Sequence, residues 1–197
     1  MTFSTTPLLL GLVFVAVTTL RLVWLQRTAK TSAYVIDHSD RTHRFIAHVL
    51  FGVGGGLLLY FAAIAVWPNV ESYVGRLDWA ISDVTRIASV ALMVFAIAWT
   101  AYAQASLGTS LRVGIPQGEA PPLRTSGAFA VSRNPIFLGM LLFVVGLSLW
   151  SPSAVTIGLL IASYMAIEVQ IRGEEAFLET AYGDAYRAYC ARVRRWL

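Results

Sequence analysis

Apolar residues run along this chain in stretches too long for one face of a water-soluble fold. A helix rises about 1.5 Å per residue, so about 20 residues cross a hydrocarbon core of about 30 Å. Five stretches predict membrane helices: residues 7–25, 45–67, 84–105, 135–150 and 154–172. Arg21 lies near the end of the first, where its side chain can snorkel to the interface. Ser151-Pro152-Ser153 separates the last two and leaves room only for a tight hairpin. The expected architecture is all-α, an integral membrane protein with five transmembrane helices in a single domain over 1–197. A cytoplasmic loop over 106–134 and a cytoplasmic helical tail over 173–197 carry the polar residues. The first segment reads as a retained helix, because no basic side chain precedes its long apolar run and no clean cleavage pattern follows.

Composition agrees with this reading. Of 197 residues, 57% are hydrophobic and 13% charged, against about 25% charged in a typical soluble domain. The formal charge is +4, yet the basic residues sit in loops and tail, so they flank a bilayer and no nucleic-acid partner is expected. Counting them by side, 13 fall with the loops after the first and third helices and the tail, and only Arg76 and Arg86 fall opposite. The positive-inside rule then puts the N-terminus outside and the C-terminus in the cytoplasm.

Cys190 is the single cysteine, which excludes an intramolecular disulfide. His38, His43 and His48 are spaced by five and would rotate around a helix, so no metal site is expected. The run Gly52-Val-Gly54-Gly55-Gly56 lies inside an apolar stretch with no preceding strand. It reads as a surface for close helix packing and not as a phosphate cradle.

Chemistry belongs where a membrane chain keeps polar groups it could dispense with. Asn134 before Pro135 has the pattern of an N-cap and first helical residue. With Arg133 adjacent, the start of that helix is either a well-capped membrane helix or a place to hold a carboxylate or phosphate. In the tail, Glu168, Arg172, Glu175 and Glu179 are spaced by four, three and four and form one helical stripe. Glu174 and Glu175 cannot share a face, so one is expected toward a site and the other toward water or Arg187. Tyr182, Tyr186 and Tyr189 form a second stripe, either an interfacial belt or the wall of a pocket.

These residues carry a resemblance. Leu123-Arg124-Thr-Ser-Gly127 through Arg133-Asn134-Pro135-Ile-Phe137-Leu-Gly139, then Glu174-Glu175, then Tyr182-Gly183-Asp-Ala-Tyr186-Arg-Ala-Tyr189, resembles the isoprenylcysteine carboxyl methyltransferase and phospholipid N-methyltransferase superfamily. Leu107-Gly-Thr-Ser-Leu111-Arg112 is similar to the segment preceding it in bacterial members, and the likeness covers roughly 104–197. It implies a five-helix membrane enzyme that uses S-adenosylmethionine at the cytoplasmic face. By that resemblance the cofactor is held by Gly127, Arg133, Asn134, Pro135, Phe137, Gly139, Glu174, Glu175, Tyr186 and Tyr189. Arg133, Arg172 and Glu175 are the candidates for catalysis. Arg112, Arg124 and Glu168 are candidates for binding a hydrophobic or amphiphilic acceptor, an isoprenylcysteine carboxylate or a lipid amine. Asn134 stands where the superfamily motif has histidine, Phe137 where it has tyrosine, and Leu111 where many members have tryptophan. Imidazole and phenol are therefore unavailable at the first two positions. A carboxylate acceptor needs no base, whereas an amine must first lose a proton. Two other readings are a sterol-reductase-like enzyme using NADPH and a non-enzymatic small transporter or assembly subunit; no internal repeat supports the latter.

Overall fold

The computed structural model describes residues 5–29, 41–108 and 123–197. Among the described residues there are six α-helices: α1 (Thr6–Ala29), α2 (Arg41–Val66), α3 (Asp83–Leu107), α4 (Pro135–Trp150), α5 (Ala154–Tyr182) and α6 (Asp184–Arg192). Three short 3-10 turns, Pro68–Tyr73, Asp78–Ala80 and Gly127–Ala130, stand between them, and no strand occurs among the described residues. Helices α1, α2, α3 and α5 are long and apolar enough to cross a membrane. Helix α4, at 16 residues, is apolar apart from Ser148 but runs only about 24 Å. Large apolar side chains stay exposed around the outside, among them Leu20, Phe51, Leu59, Ile87 and Met165. Water would not tolerate that surface; the acyl chains of a bilayer are its natural solvent. The chain is an integral membrane protein.

The five long helices close into a ring. Helix α1 packs on α2 and α3, α3 on α4, α4 on α5, and α5 returns to α2. Inside it lie Val53, Leu57 and Phe61 of α2, Met93 and Ala96 of α3, and Phe143 and Leu147 of α4. The Phe14 ring of α1 stacks on Phe143 with centroids 4.3 Å apart.

The tightest seam is α3 against α4. Helices in lipid gain little from apolar burial against one another, so close backbone approach has to supply the packing. Two glycines of α4 seven residues apart, Gly139 and Gly146, supply it. A Cβ on Gly139 would collide with the Thr100 hydroxyl, and one on Gly146 would lie 2.6 Å from Met93 Cγ. The glycine run of α2 does not do what its spacing suggested. A Cβ on Gly52, Gly54 or Gly55 would meet nothing within 4 Å, and one on Gly56 only the Leu159 side chain at 3.9 Å. Small residues permit close approach, but no described helix comes close to Gly52, Gly54 or Gly55, and α5 meets Gly56 only at ordinary contact distance.

The Ser151-Pro152-Ser153 hairpin forms as expected and is clamped to the α2–α3 connection. Leu77 N–H donates to Pro152 O and Ala154 N–H to Gly75 O. Glu71 accepts from the Ser151 hydroxyl at 2.7 Å and pairs with Arg76 at 2.6 Å, while Tyr60 reaches both serines. Ser153 and Thr156 complete a capping box that starts α5. Helix α5 then continues unbroken past 172, the expected end of its membrane part, to Tyr182. Gly183, at φ +51°, ends it and lets α6 turn back.

Candidate functional site

At the end of the bundle away from that hairpin, a cleft of about 410 Å³ opens between the extension of α5, helix α6 and the loop before α4. Arg133 comes from the loop, Arg172, Glu175 and Glu179 from α5, and Tyr186, Arg187 and Cys190 from α6. The α5 stripe read from sequence is what places its three charged residues on one wall, because positions three and four apart share a helical face.

Arg133 and Glu175 form the centre. Arg133 Nη2 lies 3.3 Å from Glu175 Oε1, and both side chains are mostly buried. Arg133 Nη1 also contacts the Cys190 sulfur, and its Nε is buried with no hydrogen-bond partner. The second cation on Glu175 is Arg195, with Nη2 2.6 Å from Oε2 and Nε 3.3 Å from Oε1. Arg195 Nη1 also reaches Glu168 at 3.5 Å, and Glu168 meets Arg172 at 3.8 Å. The hydrogen bonds that Arg195 donates to Glu175 raise the guanidinium above its already high ordinary value.

The paired acids separate as expected: Glu175 faces the cleft, and Glu174 accepts from Gln170 at 3.0 Å. Arg187 takes neither of them and pairs with Asp184 at 2.6 Å and Glu179 at 3.5 Å. Tyr186 and Tyr189 are buried, their rings 6.2 Å apart. Burial raises the Tyr186 phenol well above its ordinary range, and the Glu175 charge pushes the same way. Burial likewise pushes Tyr189 up to about 12. Both phenols therefore stay protonated at neutral pH. Tyr189 donates to Phe129 O at 2.7 Å, pinning α6 to the turn before α4.

Other candidates serve the scaffold around the cleft. Gly127, at φ +64°, lies so close to α3 that a Cβ would sit 2.6 Å from the Ser106 hydroxyl oxygen, which accepts from Ala128 N–H. Gly139 is taken up by Thr100. Pro135 is buried and its carbonyl accepts from Trp99 Nε1 at 2.8 Å, and Phe137 is half-buried on α4 away from the cleft lining. Asn134 occupies the N-cap position of α4 but makes no side-chain cap; its amide donates to Arg195 O at 3.3 Å. Arg133 N–H donates to Arg194 O at 3.0 Å and the Ser132 hydroxyl to Arg195 O at 3.2 Å. The anion site imagined at that helix start thus receives backbone carbonyls of the chain's own tail. Arg124 is exposed and outside the cleft, and Glu168 stands behind it on α5. Arg112 and Leu111 lie outside the described residues.

Sequence reasoning missed Cys190 and Arg195. Cys190 lies four residues after Tyr186, one helical turn on, which is a usable signal. Arg195 gave none, since it reads as one more basic flanking residue. Among the described residues no cluster of histidine, cysteine and acidic side chains is suited to a metal ion.

Known proteins resemble part of this chain. A 63-residue uncharacterized protein of Haemophilus influenzae is 36% identical over its whole length, matching 32% of this chain. The profile of the family described as phospholipid methyltransferase matches residues 84–185, from the start of α3 to the start of α6. That span contains the tight α3–α4 seam, the loop with Arg133 and the acidic wall of α5, and stops short of Tyr186, Tyr189 and Arg195. With more than half its length matched, this chain belongs to the phospholipid methyltransferase family, whose members are membrane methyltransferases.

Proposed function

We propose that this chain transfers a methyl group from S-adenosylmethionine, bound in the Arg133–Glu175 cleft, to a hydrophobic or amphiphilic acceptor. The observation that carries the reading is the buried, unpartnered Nε of Arg133 beside Glu175 in a cleft of about 410 Å³. An orphaned guanidinium N–H wants an anionic acceptor, and small-molecule sites run from about 300 to 1,000 Å³. The cofactor carries a carboxylate, an ammonium, a sulfonium and a ribose, and the lining offers cations, carboxylates and aromatic rings in one place. In this reading Arg133 holds the carboxylate. Glu175 holds the amino group or a ribose hydroxyl, and Tyr186 offers its ring to the sulfonium. When bound, that group supplies an electrophilic methyl on a positively charged sulfur.

The protein's share of the chemistry is positioning. In-line displacement needs donor and acceptor aligned and water excluded, and orientation alone can supply much of the acceleration. Among the described lining residues no carboxylate stands idle: Glu175 is held by two guanidiniums and Glu179 faces Arg187, while the phenols stay protonated. This supports an acceptor that arrives ready to react, as a carboxylate or an amine already neutral, with Arg172 at the mouth of the cleft to meet an anionic one.

The proposed topology has five crossings, α4 included, with the C-terminus cytoplasmic. In its support, the C-terminal ends of α3 and α5 lie at one end of the bundle with the cleft. There Ser106 reaches Ala128 and Arg195 reaches Glu175. Calorimetric titration of the detergent-purified protein with S-adenosylmethionine and S-adenosylhomocysteine tests the cofactor reading, with NADPH as control. Micromolar binding of the first two and none of the third is expected; no binding of either sulfur compound overturns the proposal.

A further inference from the structure

The residues after α6 fold back beside the cleft and touch residues of both of its walls. On the loop side, Arg194 O accepts from Arg133 N–H, and Arg195 O accepts from the Ser132 hydroxyl and the Asn134 amide. On the α5 side, the Arg195 guanidinium grips Glu175 through two atoms and reaches Glu168. Glu168 and Glu175 are two helical turns apart on one face, about 10.5 Å along the axis. Both are mostly buried, with 14% and 16% of their side chains exposed. Two like charges so placed need a cation between them, and Arg195 is the one that touches both.

We propose that Arg195 is a positioning residue for the cofactor. It fixes the orientation of the Glu175 carboxylate while its own carbonyl holds Ser132 and Asn134 on either side of Arg133, so one tail residue sets the spacing of the two groups that grip the ligand. Arg195 does not line the cleft and acts through Glu175. A two-atom guanidinium–carboxylate pair locks both the angle and the position of the acid, which an ammonium point charge cannot do. This rests on the cofactor reading above.

The test is calorimetry with S-adenosylhomocysteine on the detergent-purified full chain, comparing wild type, Arg195→Ala, Arg195→Lys, Glu175→Gln and the Arg195→Ala/Glu175→Gln double variant. Arg195→Ala is expected to raise Kd by about tenfold or more, the scale of one charge-assisted hydrogen bond. Arg195→Lys, which keeps the charge, is expected to recover part of that loss. In the Glu175→Gln background the alanine change has little further effect, because the route through Glu175 is already cut. Wild-type affinity in Arg195→Ala, or losses that simply add in the double variant, overturns the role of Arg195 and leaves the cofactor site standing. Absence of binding to the wild type overturns the cofactor reading and this role with it.

Discussion

Replacing Arg133 is the sharpest probe of the cleft. Its side chain is 17% exposed, pairs with Glu175 at 3.3 Å, contacts Cys190, and leaves one buried N–H unspent. Its backbone N–H is already used by Arg194 O, and a side-chain truncation keeps that bond. Arg133→Ala should therefore leave the tail docked and remove only the guanidinium. If that group holds the cofactor carboxylate, the loss is one charge-assisted hydrogen bond, about 1.5–3 kcal/mol. That is about 10- to 150-fold in Kd. Arg133→Lys restores charge without the fork and falls between the two. Cys190 gives a second readout, because it is the only thiol in the chain and lines the same cleft. Bound S-adenosylhomocysteine should slow maleimide labelling of the wild type. In Arg133→Ala, the same ligand concentration, set at about ten times the wild-type Kd, should slow labelling by no more than about half. Each variant serves as its own ligand-free reference, since Arg133 touches the sulfur directly. Full protection of the alanine variant by ligand, with calorimetric Kd within twofold of wild type, refutes the placement of the carboxylate on Arg133.

The remaining expectations concern the scaffold. Gly146→Val forces new atoms against Met93 at the α3–α4 seam and should cost about 1–3 kcal/mol, read as a lower unfolding temperature in detergent, whereas Gly54→Ala, with open space around it, should be neutral or slightly stabilising. Glu71→Ala removes the carboxylate shared by the Ser151 hydroxyl and Arg76, leaving them Tyr60 and Asp78. The hairpin clamp should lose about 1–3 kcal/mol, and a Ser151→Ala change made on top should cost less than the same change in the wild type. Tyr189 has its folded pKa raised to about 12 from an ordinary 10.0. The unfolded phenol therefore ionises first, so its contribution is intact below pH 10 and drains away as pH climbs toward 12. A pH series of unfolding temperatures should show that alkaline loss in the wild type and less of it in Tyr189→Phe.

The helices were legible because an apolar run of some 20 residues has few alternatives to a membrane helix, and because Ser151-Pro152-Ser153 admits nothing longer than a turn. The opposed faces of Glu174 and Glu175 followed from the 3.6-residue period. The same period hid where α5 ends: apolarity fades after Val169, but the Arg172–Glu175–Glu179 stripe gives the helix a reason to continue to Tyr182. Two things were not legible. Glycine spacing on α2 shows that a face is small and says nothing of what stands opposite, so the close packing falls to Gly139 and Gly146. The tail docks through the carbonyls of Arg194 and Arg195, and backbone groups leave no trace in residue type. That docking joins positions some 60 residues apart, which no local pattern encodes.

The shortness of α4 reaches beyond the protein. Beside neighbours of 24 to 29 residues, its 16 residues leave about 6 Å of a 30 Å hydrocarbon layer unmatched. If α4 crosses, lipids along that side must thin to meet it, at a fraction of a kcal/mol for each ångström. Thinning draws headgroups inward toward the Asn134 end of α4, where the loop carrying Arg133 begins. The membrane itself then lowers the polar end of a lipid-borne molecule toward the cleft, and turnover in vesicles should rise as acyl chains shorten.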